Sequence, residues 1–378
     1  MMLNASPSSI DHPGSFIAEE LNARSWSQSD LAYILDMDAS QLNRLVKGAT
    51  NITPDTAAAL GEAFDMPADF FLSLQNMFDL QNTTVKPGVR TRASWLSVFP
   101  VREMIKRGWI EDAEPSLLNL QMMRFFGTNR IEDIPFVGDA VVFAHAAKKS
   151  VYSTTTPIQY AWLNRVRILA ERMICPLYSS KILQSKLSAI RAHMLDREDF
   201  CRIPEILEGC GVRFVLVEAL PGSKIDGVCL WLEGQPVIGM TLRLDRPDNF
   251  CFVLRHEIEH VLREDGRQAS FSPVDEFDGV ENTDIDAVEQ IANEAAAEFC
   301  VPRALLNSFI ERKGPLISER DVLSFAARVA IHPAVVIGQI QNQTKRFGWL
   351  RKYQANIRDT LTDWKVTDGW GIQAPSGL

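Results

Sequence analysis

The stretch NFCFVLRHEIEHVLRED, residues 249 to 265, sets two histidines four apart with a glutamate directly after the first. On an α-helix, residues i and i+4 share a face one turn apart. His256 and His260 would then aim two imidazoles at a single point, half of a tetrahedral metal site. Glu257 is rotated off that face, yet it still reaches a water held by such a metal, where a general base belongs. Leu254, Ile258, Val261 and Leu262 supply an apolar set that packs the helix, with Asp248 or Asn249 expected as its N-cap. Helix surface that merely spells the pattern is the competing reading. A third ligand decides between them.

Downstream, DAVEQIANEAAAEFCVP (residues 286–302) is alanine-rich, strongly helical in pattern and closed by Pro302. Glu289 stands near its start and Asn293 one turn later on the same face. A second helix bringing a glutamate to two histidines gives a His₂Glu zinc set with its fourth position open. Asn293 would then orient one of the ligands. Glu294 and Glu298 are the competing carboxylates, and as solvated helix charges they need no ligand role.

Upstream of the motif, GVRFVLVEAL (211–220), DGVCLWLEG (226–234) and QPVIGMTLRL (235–244) are short β-rich runs bounded by turn residues. They predict a small sheet with an antiparallel pair, and residues 236–242 are a candidate exposed edge for strand addition by a substrate peptide. The paired stretches LRHEIEHVL and EQIANEAAAEFCVP resemble the ImmA/IrrE metallopeptidases over about residues 205–345. The resemblance implies a gluzincin-like site with zinc (Zn²⁺) on His256, His260 and Glu289 and with Glu257 as base. One departure is Ala295, where that family commonly has phenylalanine; a smaller side chain there touches packing rather than ligation. A peptidase of this kind also needs a donor for the oxyanion of the tetrahedral intermediate. His332, in AIHPAVVIGQI, is the candidate, although His-Pro at a helix start is also an ordinary packing arrangement. His12, His145 and His193 have no partner pattern and are assigned to surface or core.

The first 80 residues read as short helices. Pro13 opens PGSFIAEELNAR, Ser27 with Asp30 approximates a capping box, Gly48 stops a third helix, and Thr53-Pro54 caps a fourth. Two helices joined by the tight turn DMD follow the helix-turn-helix plan. The stretches HPGSFIAEEL, WSQSDLA, LNRLVKG and ITPDTAAALGEAF resemble the Xre-type domain, and within it the HigA-like antitoxins. In that fold Ser40, Gln41, Asn43, Arg44 and Lys47 would face the major groove. Gln and Asn suit adenine; Arg44 suits guanine or a phosphate.

Charge complicates the DNA reading. The chain of 378 residues has a formal net charge of −9, but residues 1–82 hold three basic side chains against eleven acidic ones, a balance of −8. Such a domain lacks most of the counterion-release term that drives binding to a duplex. Basic Lys86, Arg90 and Arg92 and a homodimer reading two half-sites would offset part of this.

The fold class expected is α+β, mainly α. A five-helix helix-turn-helix domain occupies 1–82, and a linker with a helical middle region occupies 83–202. A gluzincin-like domain, a small mixed sheet packed on helices, occupies 203–350, and 351–378 is a tail. At 46% hydrophobic and 23% charged, the composition is that of a soluble globular protein. No apolar run suggests a membrane span, and six scattered cysteines without a Cys-x-x-Cys pair suit reduced thiols in the cytoplasm. The function expected is a transcription-linked regulator with a zinc metalloendopeptidase domain, acting on a repressor or other regulatory protein. The alternative is a DNA-binding repressor or antitoxin whose zinc site is structural or sensory, and a third reading is a protein-interaction scaffold.

Overall fold

The computed structural model describes residues 11–137, 155–267, 287–314 and 316–374. Contacts divide the chain into two compact units, Met1–Pro87 and Gly88–Leu378. Over the described residues the protein is α+β and mainly α.

In the first unit, α1 (Pro13–Arg24), α2 (Gln28–Ile34), α3 (Ala39–Val46), α4 (Pro54–Phe64) and α5 (Ala68–Asn82) enclose one core. Local chemistry sets the boundaries. Ser27 and Asp30 form a reciprocal capping box on α2, and Asp38 caps α3. Thr53 caps α4 with Pro54 in its first turn. Leu31, Leu42, Leu60 and Phe71 are fully buried between the helices. Gly14 lets α1 lie against the end of α3, since a Cβ there would stand 2.3 Å from the Val46 carbonyl oxygen.

The second unit begins with α6 (Val89–Leu96), α7 (Val101–Lys106), α8 (Pro115–Phe126), α9 (Pro157–Glu171), α10 (Ser180–His193) and α11 (Ile203–Gly209). Three strands come next, β1 (Arg213–Val217), β2 (Gly227–Leu232) and β3 (Gln235–Met240). After them come α12 (Pro247–Arg263), α13 (Ala287–Cys300), α14 (Arg303–Lys313), α15 (Glu319–Val329), α16 (Pro333–Thr344), α17 (Arg358–Leu361) and β4 (Thr367–Asp368).

The sheet order is β2-β3-β1-β4. β2 and β3 form the antiparallel pair, while β1 runs parallel to both β3 and β4. The expected edge at 236–242 is corrected: β3 is paired on both sides, and β2 lies at the edge of the described sheet. A hairpin alone would leave β3 free; its second partner, β1, comes from earlier in the chain.

Side chains alternate across the sheet with period two. Phe214, Leu216, Cys229, Ile238 and Met240 enter a core with α12, whereas Val215, Val217, Val228, Leu230 and Val237 enter another with α9. Strands apolar on both faces need a cover on each. The helical stretch expected to stand apart as a middle region supplies that second cover through α9, whose Trp162 is fully buried and donates from Nε1 to the Val217 carbonyl.

The stretch read as a tail is also built in. Trp364 donates from Nε1 to the Phe214 carbonyl at 2.9 Å. Asp368 is buried and takes Trp109 Nε1 at 2.6 Å and Arg165 Nε at 2.9 Å. Among the described residues, no single helix is long and apolar enough to cross a membrane.

Candidate metal centre

α12 begins earlier than its sequence suggests. Arg246 holds the N-cap position and Pro247 the first turn, where a missing N–H costs nothing. Asp248, expected as a cap, instead pairs with Arg246 and lies against Gly338, whose hydrogen leaves room for it. The helix is an interior element. Phe250, Leu254, Ile258 and Val261 bury one side under the sheet, and His256, Glu257 and His260 are themselves buried.

Across from it, α13 brings Glu289 to the two histidines. His256 Nε2 stands 3.2 Å from Glu289 Oε2, His260 Nε2 stands 3.5 Å from Glu289 Oε1, and the two Nε2 atoms are 2.9 Å apart. Four-coordinate zinc with bonds near 2.0–2.1 Å places its ligand atoms about 3.3 Å from one another. Taken to whichever Glu289 oxygen lies nearer each ring, the separations are close to that value. One ligand atom from each residue lies within 4.8 Å of the others, so the chemistry of the donor set fits a small cation.

The far sides of the rings agree. His256 Nδ1 stands 3.1 Å from Asn293 Oδ1, and His260 Nδ1 stands 3.1 Å from Asp265 Oδ2. An amide oxygen and a carboxylate accept only, so both Nδ1 atoms carry the proton. In neutral rings both Nε2 lone pairs would then face each other and the Glu289 carboxylate. That convergence is repulsive by itself and favourable around a cation.

Glu257 points away from the cluster's α13 side, toward β2. A Cβ on Gly227 would stand 2.4 Å from Glu257 Oε1 and 2.7 Å from Val253 Cγ1. The strand residue is thus absent in all but backbone where the carboxylate lies. Glu294 and Glu298 are exposed on other faces of α13, accepting from the Gln290 side chain and the Arg303 backbone.

Other neighbours have structural duties. Arg255 lies over Phe299 and pairs with Glu259. Tyr178 donates to the Val261 carbonyl at 3.1 Å, and burial pushes its phenol up to about 12. Cys251 and Cys300, fully buried behind the site, have thiols raised by burial, Cys300 to about 12, so both stay protonated and inert. His332 is at the head of α16, where its Nδ1 accepts from the Ala334 backbone at 3.2 Å and its own N–H donates to the Met194 carbonyl. It caps a helix, and it is not among the three residues whose ligand atoms converge. Burial lowers its pKa, against the pull of Asp196, Glu198 and Asp248.

In the first unit, α3 buries Leu42 and Leu45 and leaves Ser40, Gln41, Arg44 and Lys47 exposed, with Asn43 half-buried. His12 caps α1 through Nδ1, His193 lies 4.0 Å from Asp199, and His145 lies outside the described residues. Sequence reasoning missed Asp265 and Gly227. Asp265 is five residues beyond a candidate ligand, one step past the helical i+4 spacing. Only the preceding β-run and its bounding Asp226-Gly227 pair signalled a turn there.

Residues 17–71 match the helix-turn-helix family, and residues 212–333 match the IrrE N-terminal-like domain. An HTH-type transcriptional regulator of Haemophilus influenzae is 35% identical over 80 residues, which are 21% of this chain and 72% of that protein. A solved structure, an addiction module antidote protein of a HigA family from Coxiella burnetii, is 29% identical with a TM-score of 0.18. It covers 20% of this chain and 98% of its own. The chain belongs to the helix-turn-helix regulators of the Xre type and carries, C-terminal to that domain, a domain of the ImmA/IrrE-like peptidase family.

Proposed function

We propose that this regulator's C-terminal domain is a zinc-dependent, gluzincin-like endopeptidase that acts on a repressor or other regulatory protein. One observation carries the reading: ligand atoms of His256, His260 and Glu289 converge within 4.8 Å of one another beside buried Glu257. Two imidazoles and one carboxylate are a zinc set that leaves a position open. Bound there, zinc supplies Lewis acidity, polarising a peptide carbonyl and making water more acidic. His256 and His260, through Nε2, and the Glu289 carboxylate would hold it. Glu257 takes a proton from the attacking water and passes it to the leaving amide nitrogen. β2, at the edge of the described sheet, meets Glu257 at Gly227, so a substrate paired in extended form with β2 would lie across the site. We assign His332 to capping α16 rather than to the oxyanion.

The test uses the full-length chain and Glu257→Gln, both loaded with zinc, against a proteome-derived peptide library read by mass spectrometry. We expect about one zinc per chain in both proteins and new termini in the wild type only. Identical termini from the two would overturn the peptidase reading. They would leave a DNA-binding repressor or antitoxin with a sensory site, which the exposed polar face of α3 favours. In that reading Gln41, Asn43 and Arg44 read base edges, Ser40 and Lys47 hold the backbone, and a homodimer spans two half-sites.

A further inference from the structure

The C-terminal end of α12 is arranged around Asp265. Glu264 adopts the left-handed conformation (φ 59°, ψ 30°), the chain reverses, and two backbone bonds close the turn. The Glu264 N–H donates to the Val261 carbonyl at 3.2 Å and the Asp265 N–H to the His260 carbonyl at 2.9 Å. This pair of bonds is the Schellman arrangement, which normally has glycine at the left-handed position. Glutamate there costs about 1–2 kcal/mol. The reversal brings the Asp265 carboxylate back over the preceding turn, 3.1 Å from His260 Nδ1. From the other side, Trp231 of β2 donates its indole Nε1–H to the Asp265 carbonyl at 2.8 Å. Trp231 is nearly buried, edge-on to Tyr178 and covered by the Arg267 guanidinium. Arg263 Nε, 3.3 Å from Asp265 Oδ2, shares the same carboxylate oxygen.

We propose that Asp265, fixed by Trp231, is the positioning residue of His260, holding its Nδ1–H so that Nε2 is presented to the metal. The inference rests on the metal-site reading above. His256 has a neutral amide, Asn293, in the equivalent place, so the two histidines are held differently. Among the described residues, Asp265 sets an anion against the Nδ1 side of His260, and an anionic acceptor there strengthens the ring as a ligand. The tie to Trp231 couples that ligand to the edge strand.

The experiment measures zinc affinity of the full-length chain by chelator competition, with the visible spectrum of the cobalt(II)-loaded protein as a second readout. Variants are Asp265→Ala, Asp265→Asn, Trp231→Phe and Arg263→Ala. We expect Asp265→Ala to weaken zinc binding about 10- to 100-fold and to shift the cobalt bands. Asp265→Asn, still an acceptor but uncharged, recovers part of the loss. Trp231→Phe weakens binding by less, in the same direction, and Arg263→Ala, which removes a competing donor from the same carboxylate oxygen, does not weaken it. Should Asp265→Ala fail to fold, Asp265→Asn and Trp231→Phe carry the test. Wild-type affinity and an unshifted cobalt spectrum in every folded Asp265 and Trp231 variant would overturn the positioning role. A wild-type chain that takes up neither ion would instead overturn the metal site itself, and Asp265's role with it.

Discussion

A methyl group on Gly227 would stand 2.4 Å from Glu257 Oε1, well inside van der Waals contact. Its glycine is required by a neighbour's carboxylate and not by its own backbone angles. Gly227→Ala should therefore cost about 1–3 kcal/mol in chemical denaturation, as overpacking does. It should also displace Glu257, lowering cleavage while zinc content holds. His332 supplies a second residue-scale prediction. Burial depresses its folded pKa, so below about 6.5 the unfolded chain takes up a proton more readily. This contribution to stability is intact above the unfolded value and is lost as pH falls through it toward the folded one. His332→Asn keeps a capping side chain, so unfolding at pH 7 should change little while the loss on acidification becomes shallower. A fall of about 100-fold in cleavage with zinc retained would restore His332 as an oxyanion donor. At this scale the sequence was informative where spacing carries geometry. His256, His260 and Glu289 lie on helix faces that a one-turn step reveals. Asp265 and Gly227 act through a turn and a close approach, and neither has a period.

Helix ends and strand neighbours belong to the next scale. Glu264 holds the left-handed position that closes α12, and its ion pair with Arg267 is at the surface, where such pairs contribute little. Glu264→Gly should therefore raise stability by about 1 kcal/mol in a denaturant titration. An unchanged or lowered midpoint would mean that the side chain does more than tolerate its angle. Most element boundaries were legible because caps are local: Ser27 with Asp30 and Thr53 with Pro54 stand where the helices start. The start of α12 was misplaced because Asp248 has the chemistry of a cap but engages Arg246 instead. Strand order was not legible. The hairpin of β2 and β3 is a matter of one short turn, whereas the β1–β3 pairing is parallel and crosses the whole hairpin.

For the molecule as a whole, charge gives the sharpest prediction. The helix-turn-helix domain has a balance of −8, and among the predicted contacts on α3 its cations are Arg44 and Lys47. Each phosphate neutralised contributes about −0.9 to the slope of log affinity on log salt. Two cations give a slope of about −2 per chain, measurable by fluorescence anisotropy on DNA from upstream of the gene. Arg44→Ala should remove about one unit of that slope. No binding even at low salt would leave the domain a protein-docking module. The large-scale organisation was only partly readable from sequence, since composition marks helices but not what they cover. Strands apolar on both faces need two covers, yet nothing in residues 157–171 named α9 as one of them. Near the end of the chain, Asp368 is clamped by Arg165 and Trp109, and Trp364 bonds the backbone of β1. A late strand and helices from the middle of the chain thus complete one sheet. The stretch that matches a peptidase family is therefore not a portable cassette. Cut out at its sequence limits, it would leave behind a strand and one wall of its own core, and a catalytic fragment has to be designed around the contacts instead.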